Sequence, residues 1–344
     1  MSFVVWGETE TVFNSSTVTV AIFHRIFIII NHYFYSPRMP RPTGKLLLAA
    51  GVAGAVLALL PAPTRYHLLC LAVRPLVGTG GILAGEQIVD GHPYLPSFVN
   101  PPKQIAKARQ YTWDEDDVIL ASHPKSGTHL TMLTLLLILF AGDLPPKTNL
   151  HSLTVTAEFD QAAAGGSRSY EEPKADYPTR PRLVTTHMPE RHLTYSPAAK
   201  YVYVMRSPVA TLASFRRMEL LLLGPHLTPT LDDFVARGSM LRPGGWLDQV
   251  LEWWSVRGRS NLLIVNYEDM VTAPRASAER LATFIGKSLS PKQLDVVAGR
   301  MSLRWALEHV DPYNHKATTP FSPPDIALAT KSGFIVNATA MPAW

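Results

Sequence analysis

Between residues 117 and 140 the chain changes texture in a way that sets its architecture. Asp117–Ser122 is a short apolar run of strand length, it enters the turn Pro124-Lys125-Ser126-Gly127, and the long apolar stretch Leu130–Phe140 follows. Lengths of this kind read as strand, loop and helix. Three further short β-branched runs, Arg182–Thr185, Tyr201–Met205 and Leu262–Val265, read as buried strands. Thr211–Leu223 and Trp246–Arg257 read as helices. Strands alternating with helices predict an α/β fold: three layers, with a central, mainly parallel sheet flanked by helices. Trp246, Trp253 and Trp254 are spaced to share one core-facing side of their helix. Ala163–Ala175, with Gly165, Gly166, Ser167 and several charges, reads as an exposed loop. No internal repeat is present.

The first 75 or so residues differ from the rest. Leu46–Leu60 is an unbroken apolar run, with Arg38, Arg41 and Lys45 upstream of it. Its length falls short of the roughly 20 residues that span a bilayer. A basic flank, a short apolar core and then small residues with proline describe a secretory signal or a membrane anchor; the plain alternative is a buried helix. An anchor with basic residues on its amino side would leave the remainder outside the cytosol. The expected organisation is therefore a hydrophobic extension over 1–75, as signal or anchor, and one α/β domain over 76–344. Membrane association through the extension is favoured over a cytoplasmic location.

Composition adds limits. A chain of 344 residues with 47% hydrophobic and 17% charged side chains supports a sizeable core and does not read as disordered. A net charge of +5 suits an anionic ligand, yet no dense Lys/Arg stripe argues for nucleic acid. Cys70, the single cysteine, excludes an internal disulfide framework and a Cys-based zinc site.

Three motifs carry chemistry. In Ser122-His123-Pro124-Lys125-Ser126-Gly127-Thr128-His129 a glycine-containing turn joins a strand to a helix. Successive backbone N–H groups and the helix N-terminus then converge on one anion, and Lys125 adds a full charge. This is not the nucleotide-hydrolase loop, which places its lysine after the second glycine and a hydroxyl on magnesium. Thr186-His187-Met188-Pro189 follows the strand Arg182–Thr185, and an imidazole there titrates in the range useful to a general base. Arg206-Ser207-Pro208 follows Tyr201–Met205, with Ser214 two helical turns further on; the guanidinium offers a planar fork to phosphate oxygens. Any one of the three would be modest by itself: an isolated histidine is more often packed or on the surface, and a lone arginine is more often a salt-bridge partner.

Together, in this order, they resemble the sulfotransferases that use 3′-phosphoadenosine 5′-phosphosulfate (PAPS), the cytosolic-type family of animals and plants, across roughly Ile88–Val310. Val89–Pro96 is similar to that family's substrate-side segment, Tyr267-Glu268-Asp269 to its adenine-side Tyr-Glu-Asp, and Met301-Ser302-Leu303 to a further segment near the adenine. The resemblance implies a P-loop-like fold and roles for matching residues. Lys125, Ser126, Gly127, Thr128 and His129 would hold the 5′-phosphosulfate, Lys125 with a catalytic share. Arg206 and Ser214 would bind the 3′-phosphate, while Tyr267, Ser302, Lys331 and Gly333 would complete the cofactor site. His187 would be the catalytic base for in-line sulfonate transfer to a small alcohol or phenol, or an amine, with no metal. Ser214 would also restrain Lys125 until the acceptor arrives.

Departures from the pattern are specific. Lys331-Ser332-Gly333 stands for the family's Arg-Lys-Gly, but no Gly-Asp-Trp-Lys follows it. Leu130 replaces an adenine-stacking tryptophan, His129 a threonine, and Thr185 a lysine seen in many animal members. The runner-up is a catalytically impaired relative that binds nucleotide without turnover. A P-loop kinase is disfavoured because the Gly-Lys pair followed by a hydroxyl is absent. Acceptor identity and oligomeric state are not readable; the acceptor side is expected among loops within Thr154–Tyr177 and Leu220–Met240.

Overall fold

The computed structural model describes residues 87–310, except 96–99, 147, 160–166, 224–229 and 237–243. The extension over 1–75, with its signal or anchor reading, lies outside the described residues, as do Lys331 and Gly333. Among the described residues, no helix is long and apolar enough to cross a membrane.

The chain opens with a hairpin, β1 (Gln87–Val89) and β2 (His92–Tyr94). Asp90 and Gly91 both take positive φ, 45° and 76°, at its turn. That suits Asp-Gly, a pair that tolerates the left-handed region in two-residue hairpin loops. Helix α1 (Pro102–Gln110) leads to β3 (Asp117–Ser122) and α2 (Thr128–Leu139). Then come β4 (Val155–Thr156), β5 (Arg182–Thr186), β6 (Lys200–Met205), α3 (Pro208–Leu223), α4 (Leu231–Ala236) and α5 (Trp246–Ser255). The described part closes with β7 (Leu262–Asn266), α6 (Tyr267–Thr272), α7 (Pro274–Phe284), α8 (Pro291–Arg300) and α9 (Leu303–His309).

Strands β3 to β7 form one parallel sheet in the order β4-β5-β3-β6-β7. The continuous apolar texture of β3 follows from burial on both faces. Val118 and Leu120 join a core with Leu136 of α2, Leu281 of α7 and Val297 of α8; Ile119 and Ala121 join the opposite core with Ile105, Trp113 and Trp253. Helix α2 is apolar on every side because it is buried on nearly every side, with Met132–Ile138 all inside. The expected layers and all four expected strands are present, within one residue at each end.

Three local expectations are corrected. Trp254 is 45% exposed, whereas Trp253 is buried. At 100° per residue, adjacent positions cannot share the core line; Trp254 instead lies under the Arg257 guanidinium, 4.9 Å from its ring centroid. The described part of the expected loop Ala163–Ala175 is partly core: Tyr170 is buried against Tyr111 and Trp113. The segment Leu220–Met240 is not loop throughout, since α3 continues to Leu223 and α4 occupies Leu231–Ala236.

Candidate active site

The order of the sheet reverses at β3, where β5 lies on one side and β6 on the other. In open α/β sheets the crevice at the carboxyl ends of such strands is the place where ligands bind. All three motifs sit there, directly after β3, β5 and β6.

The first loop is built as an anion cradle. Gly127 is the N-cap of α2 with φ 112° and has no side chain to compete for the leading N–H groups of α2. Lys125 also adopts positive φ, 68°, which is rare for a residue with a side chain and gathers at functional sites. The hydroxyl of Ser126 is buried without a hydrogen-bond partner, while Thr128 Oγ1 bonds Ser122 Oγ at 2.6 Å. The ring of His129 meets His151 edge-on at 5.7 Å. An unsatisfied buried hydroxyl beside an uncapped helix N-terminus is what is expected of a place that takes an anion.

Arg206 leaves the end of β6 and reaches across to that loop. Its Nη1 donates to the Lys125 carbonyl at 3.1 Å, its guanidinium stands 4.3 Å above the Tyr267 ring, and its Nε has no partner. Burial, and secondly the Arg206 charge, push the Lys125 ammonium down to about 8. Tyr267 begins α6, and its ring packs so closely under Gly127 that a Cβ there would meet Cδ2 at 2.6 Å. Glu268, the next residue of α6, holds the residue after Arg206, its Oε1 accepting from Ser207 N at 3.0 Å. Ser214 is half-buried on α3. Ser302 is a helix cap, its Oγ accepting from Trp305 N at 3.2 Å.

His187 stands at the end of β5. Its Nδ1 lies 2.8 Å from the Ser122 carbonyl, which can only accept, so Nδ1 carries the proton and Nε2 keeps its lone pair. Burial is the main cause that brings the imidazole down to about 4, and Lys125 adds to the depression; the Ser122 carbonyl works against them. The His187 main chain is held as well: its N–H donates to Glu158 Oε1 at 2.6 Å and its carbonyl accepts from Gln249 Nε2 at 2.8 Å. Thr185 faces β4 instead, donating to the Val155 carbonyl at 3.1 Å.

Beside His187 an open cleft is lined by His92, Tyr94, His123, Glu158, Phe159 and Phe215, among others. The hairpin supplies one wall, with the Tyr94 hydroxyl 2.7 Å from His192 Nδ1. The sequence resemblance had marked Val89–Pro96 as a substrate-side segment, and the hairpin does border the cleft. Sequence reasoning missed Glu158 and Gln249. Glu158 lies inside an acceptor-side segment that was singled out, but no motif distinguishes it. Nothing in the spacing of Gln249 points to His187.

Comparison with known proteins gives the same picture. Sulfotransferase 1B1 of Canis lupus familiaris is 27% identical over 217 residues, covering 61% of this chain and 72% of that one. The 3-beta-hydroxysteroid sulfotransferase of Cavia porcellus is 27% identical over 216 residues, 60% of this chain and 72% of that one. Two solved structures share the fold. A mouse sulfotransferase complexed with PAP has a TM-score of 0.52 at 23% identity, covering 65% of this chain and 76% of the other. Retinol dehydratase in complex with androsterone and the inactive cofactor PAP has 0.55 at 20% identity, covering 74% and 88%. Residues 115–305, more than half of the chain, match the family described as the sulfotransferase domain. With the anion loop, the strand-end histidine and the arginine brought to one crevice, the chain belongs to the sulfotransferase domain family and is a sulfotransferase.

Proposed function

We propose that this sulfotransferase uses PAPS and transfers the sulfonate in line to a hydroxyl, or an amine, of a small acceptor, with His187 as the general base. The observation that carries this reading is the bond between His187 Nδ1 and the Ser122 carbonyl. It fixes the tautomer whose Nε2 accepts a proton, and it ties the base to the strand that feeds the anion loop. The residues present fit the donor: an unpartnered Ser126 hydroxyl, an unpartnered Arg206 Nε and an α2 N-terminus that no side chain caps.

When bound, PAPS supplies a sulfonate on a leaving group that departs as a phosphate. Lys125, Ser126, Gly127, Thr128 and the His129 N–H bind the 5′-phosphosulfate, and Lys125 meets the charge that develops on the leaving oxygen. Arg206 and Ser214 bind the 3′-phosphate, and Tyr267 orients the adenine. His187 takes the acceptor proton at Nε2 as the new S–O bond forms. An imidazole brought down to about 4 is neutral at physiological pH and ready to accept; an anionic donor nearby raises its basicity at the moment of use. The cleft, with Phe159, Phe215 and Leu95 beside polar groups, suits a small lipophilic alcohol or phenol. The Cavia porcellus relative is named for a 3-beta-hydroxysteroid, a lipophilic alcohol of the same class.

The test joins binding and turnover. Calorimetric titration of the full chain with 3′-phosphoadenosine 5′-phosphate is expected to show one site that Arg206→Ala abolishes. Sulfonate transfer to a panel of phenols and alcohols is expected to fall at least about 100-fold in His187→Ala, the scale of general-base catalysis. Near-normal turnover in that variant would sink the base assignment. Binding without turnover of any acceptor would favour the catalytically impaired relative.

A further inference from the structure

Strand β4 pairs with β5 for only two residues, and the last bond of that ladder runs from Ala157 N to the Thr185 carbonyl, 3.0 Å. Beyond it β5 ends at Thr186 and His187 follows, and among the described residues no strand pairs with them on that side. The N–H of His187 would there be a backbone donor without a partner, a costly arrangement for a buried strand end. Glu158, the residue after Ala157, turns its side chain into the gap. Its Oε1 accepts from His187 N at 2.6 Å and its Oε2 from Thr186 Oγ1 at 2.7 Å. The same Thr186 hydroxyl accepts from Met188 N at 3.0 Å, so one carboxylate organises three consecutive residues around the base.

We propose that Glu158 is a positioning residue for His187, its carboxylate replacing the missing strand and setting where the imidazole stands in the transfer reaction. The inference rests on the reading of His187 as the base.

Two observations separate this role from ordinary stitching. The carboxyl group is 1% exposed, and burial pushes it up to about 7 while the bonds from His187 and Thr186 pull it back. A neutral side chain would satisfy one N–H more cheaply, so a buried acid is an expensive choice for a purely structural bond. Its own backbone is fixed from the acceptor side: Asn100 Nδ2 donates to the Glu158 carbonyl at 3.0 Å, and Asn100 Oδ1 accepts from Leu95 N at 3.1 Å. The cleft wall and the base are therefore joined through Glu158, and Gln249 holds the opposite side of His187.

The experiment compares Glu158→Ala and Glu158→Gln, each alone and the alanine also combined with His187→Ala, in the full chain. Steady-state turnover with PAPS and a simple phenol is read beside PAP affinity by calorimetry and the side-chain 15N spectrum of His187. Glu158→Ala is expected to lower kcat about 100-fold, the scale of a misplaced catalytic group, with acceptor KM and PAP affinity within about threefold. The Nδ1-protonated tautomer that the Ser122 carbonyl implies for the wild type is expected to give way to mixed tautomers. Glu158→Gln, whose amide oxygen still accepts from His187 N–H, is expected to recover at least about tenfold of that loss. In the His187→Ala background, Glu158→Ala is expected to change nothing further, as for residues that act as a unit. Unchanged kcat in Glu158→Ala, equal losses in the two single variants, or multiplied losses in the double variant would overturn the proposal. If His187→Ala alone keeps normal turnover, the base reading fails instead, and the imidazole spectrum still reports whether Glu158 fixes the ring. Should the alanine variant not fold, the glutamine variant and its spectrum decide alone.

Discussion

Gly127 and Tyr267 touch across the site so closely that a Cβ on the glycine would lie 2.6 Å from the tyrosine Cδ2. The anion loop after β3 and the start of α6 after β7 thus close on a residue that has to lack a side chain. Its φ of 112° makes the same demand independently.

Gly127→Ala is therefore expected to destabilise the fold by about 2 kcal/mol, the scale of a strained backbone, and to weaken PAP binding by more than about tenfold. Urea unfolding and calorimetry measure the two effects separately. A variant that keeps both stability and affinity would mean that Tyr267 is free to move away.

Arg206 makes a bond to the Lys125 carbonyl and at the same time stacks on Tyr267, a combination that suits a planar guanidinium. Arg206→Lys keeps the charge but loses both contacts. Its PAP affinity is expected to fall about tenfold or more, since such a substitution is not conservative where a guanidinium stacks on an aromatic ring. Equal affinity in the lysine variant would show that charge alone matters there.

Acid is expected to destabilise this fold steeply. Burial is the first cause that lowers His92 to about 3 and His187 and His192 to about 4. The unfolded chain takes up these three protons near pH 6.5 and the folded chain does not, so their contribution is present above 6.5 and lost as pH falls towards 4. Glu158, raised to about 7 by burial, works in the opposite direction: its folded form holds a proton below that pH. Between about pH 6 and 5 the unfolded state thus binds about two more protons, and stability should drop by about 3 kcal/mol per pH unit. Urea midpoints across this range test the slope. A flat profile would mean that these imidazoles titrate normally.

Asp117 and Arg182 are register partners at the start of β3 and β5, both buried, with Nε to Oδ1 at 2.6 Å. Arg182 also donates to the Tyr170 carbonyl at 3.0 Å, so the pair anchors the loop that the sequence placed outside the core. Asp117→Asn is expected to cost about 3–5 kcal/mol, because it leaves a buried guanidinium without its counter-charge. Replacing both partners by apolar residues of similar volume is expected to cost less than either single change. Unfolding curves for the three variants decide between these outcomes.

The sequence by itself determined the layers, the four main strands and the three strand-end motifs. The reason is local: runs such as Asp117–Ser122 and Tyr201–Met205 are too apolar to face water on either side, so they have to be central strands. Lys125, His187 and Arg206 were legible because each follows such a run, where the carboxyl end of a parallel strand presents its next residue to the crevice. Tertiary structure decided the rest. Only folding showed that Tyr170 is core and Trp254 is not, because burial depends on which neighbour covers a side chain. It also decided the tautomer of His187, through a carbonyl 65 positions earlier, and the support of its backbone, through a carboxylate 29 positions earlier. Hydrogen bonds between residues that far apart leave no periodicity in the chain. They exist only once the parallel sheet has brought the ends of β3, β4 and β5 side by side.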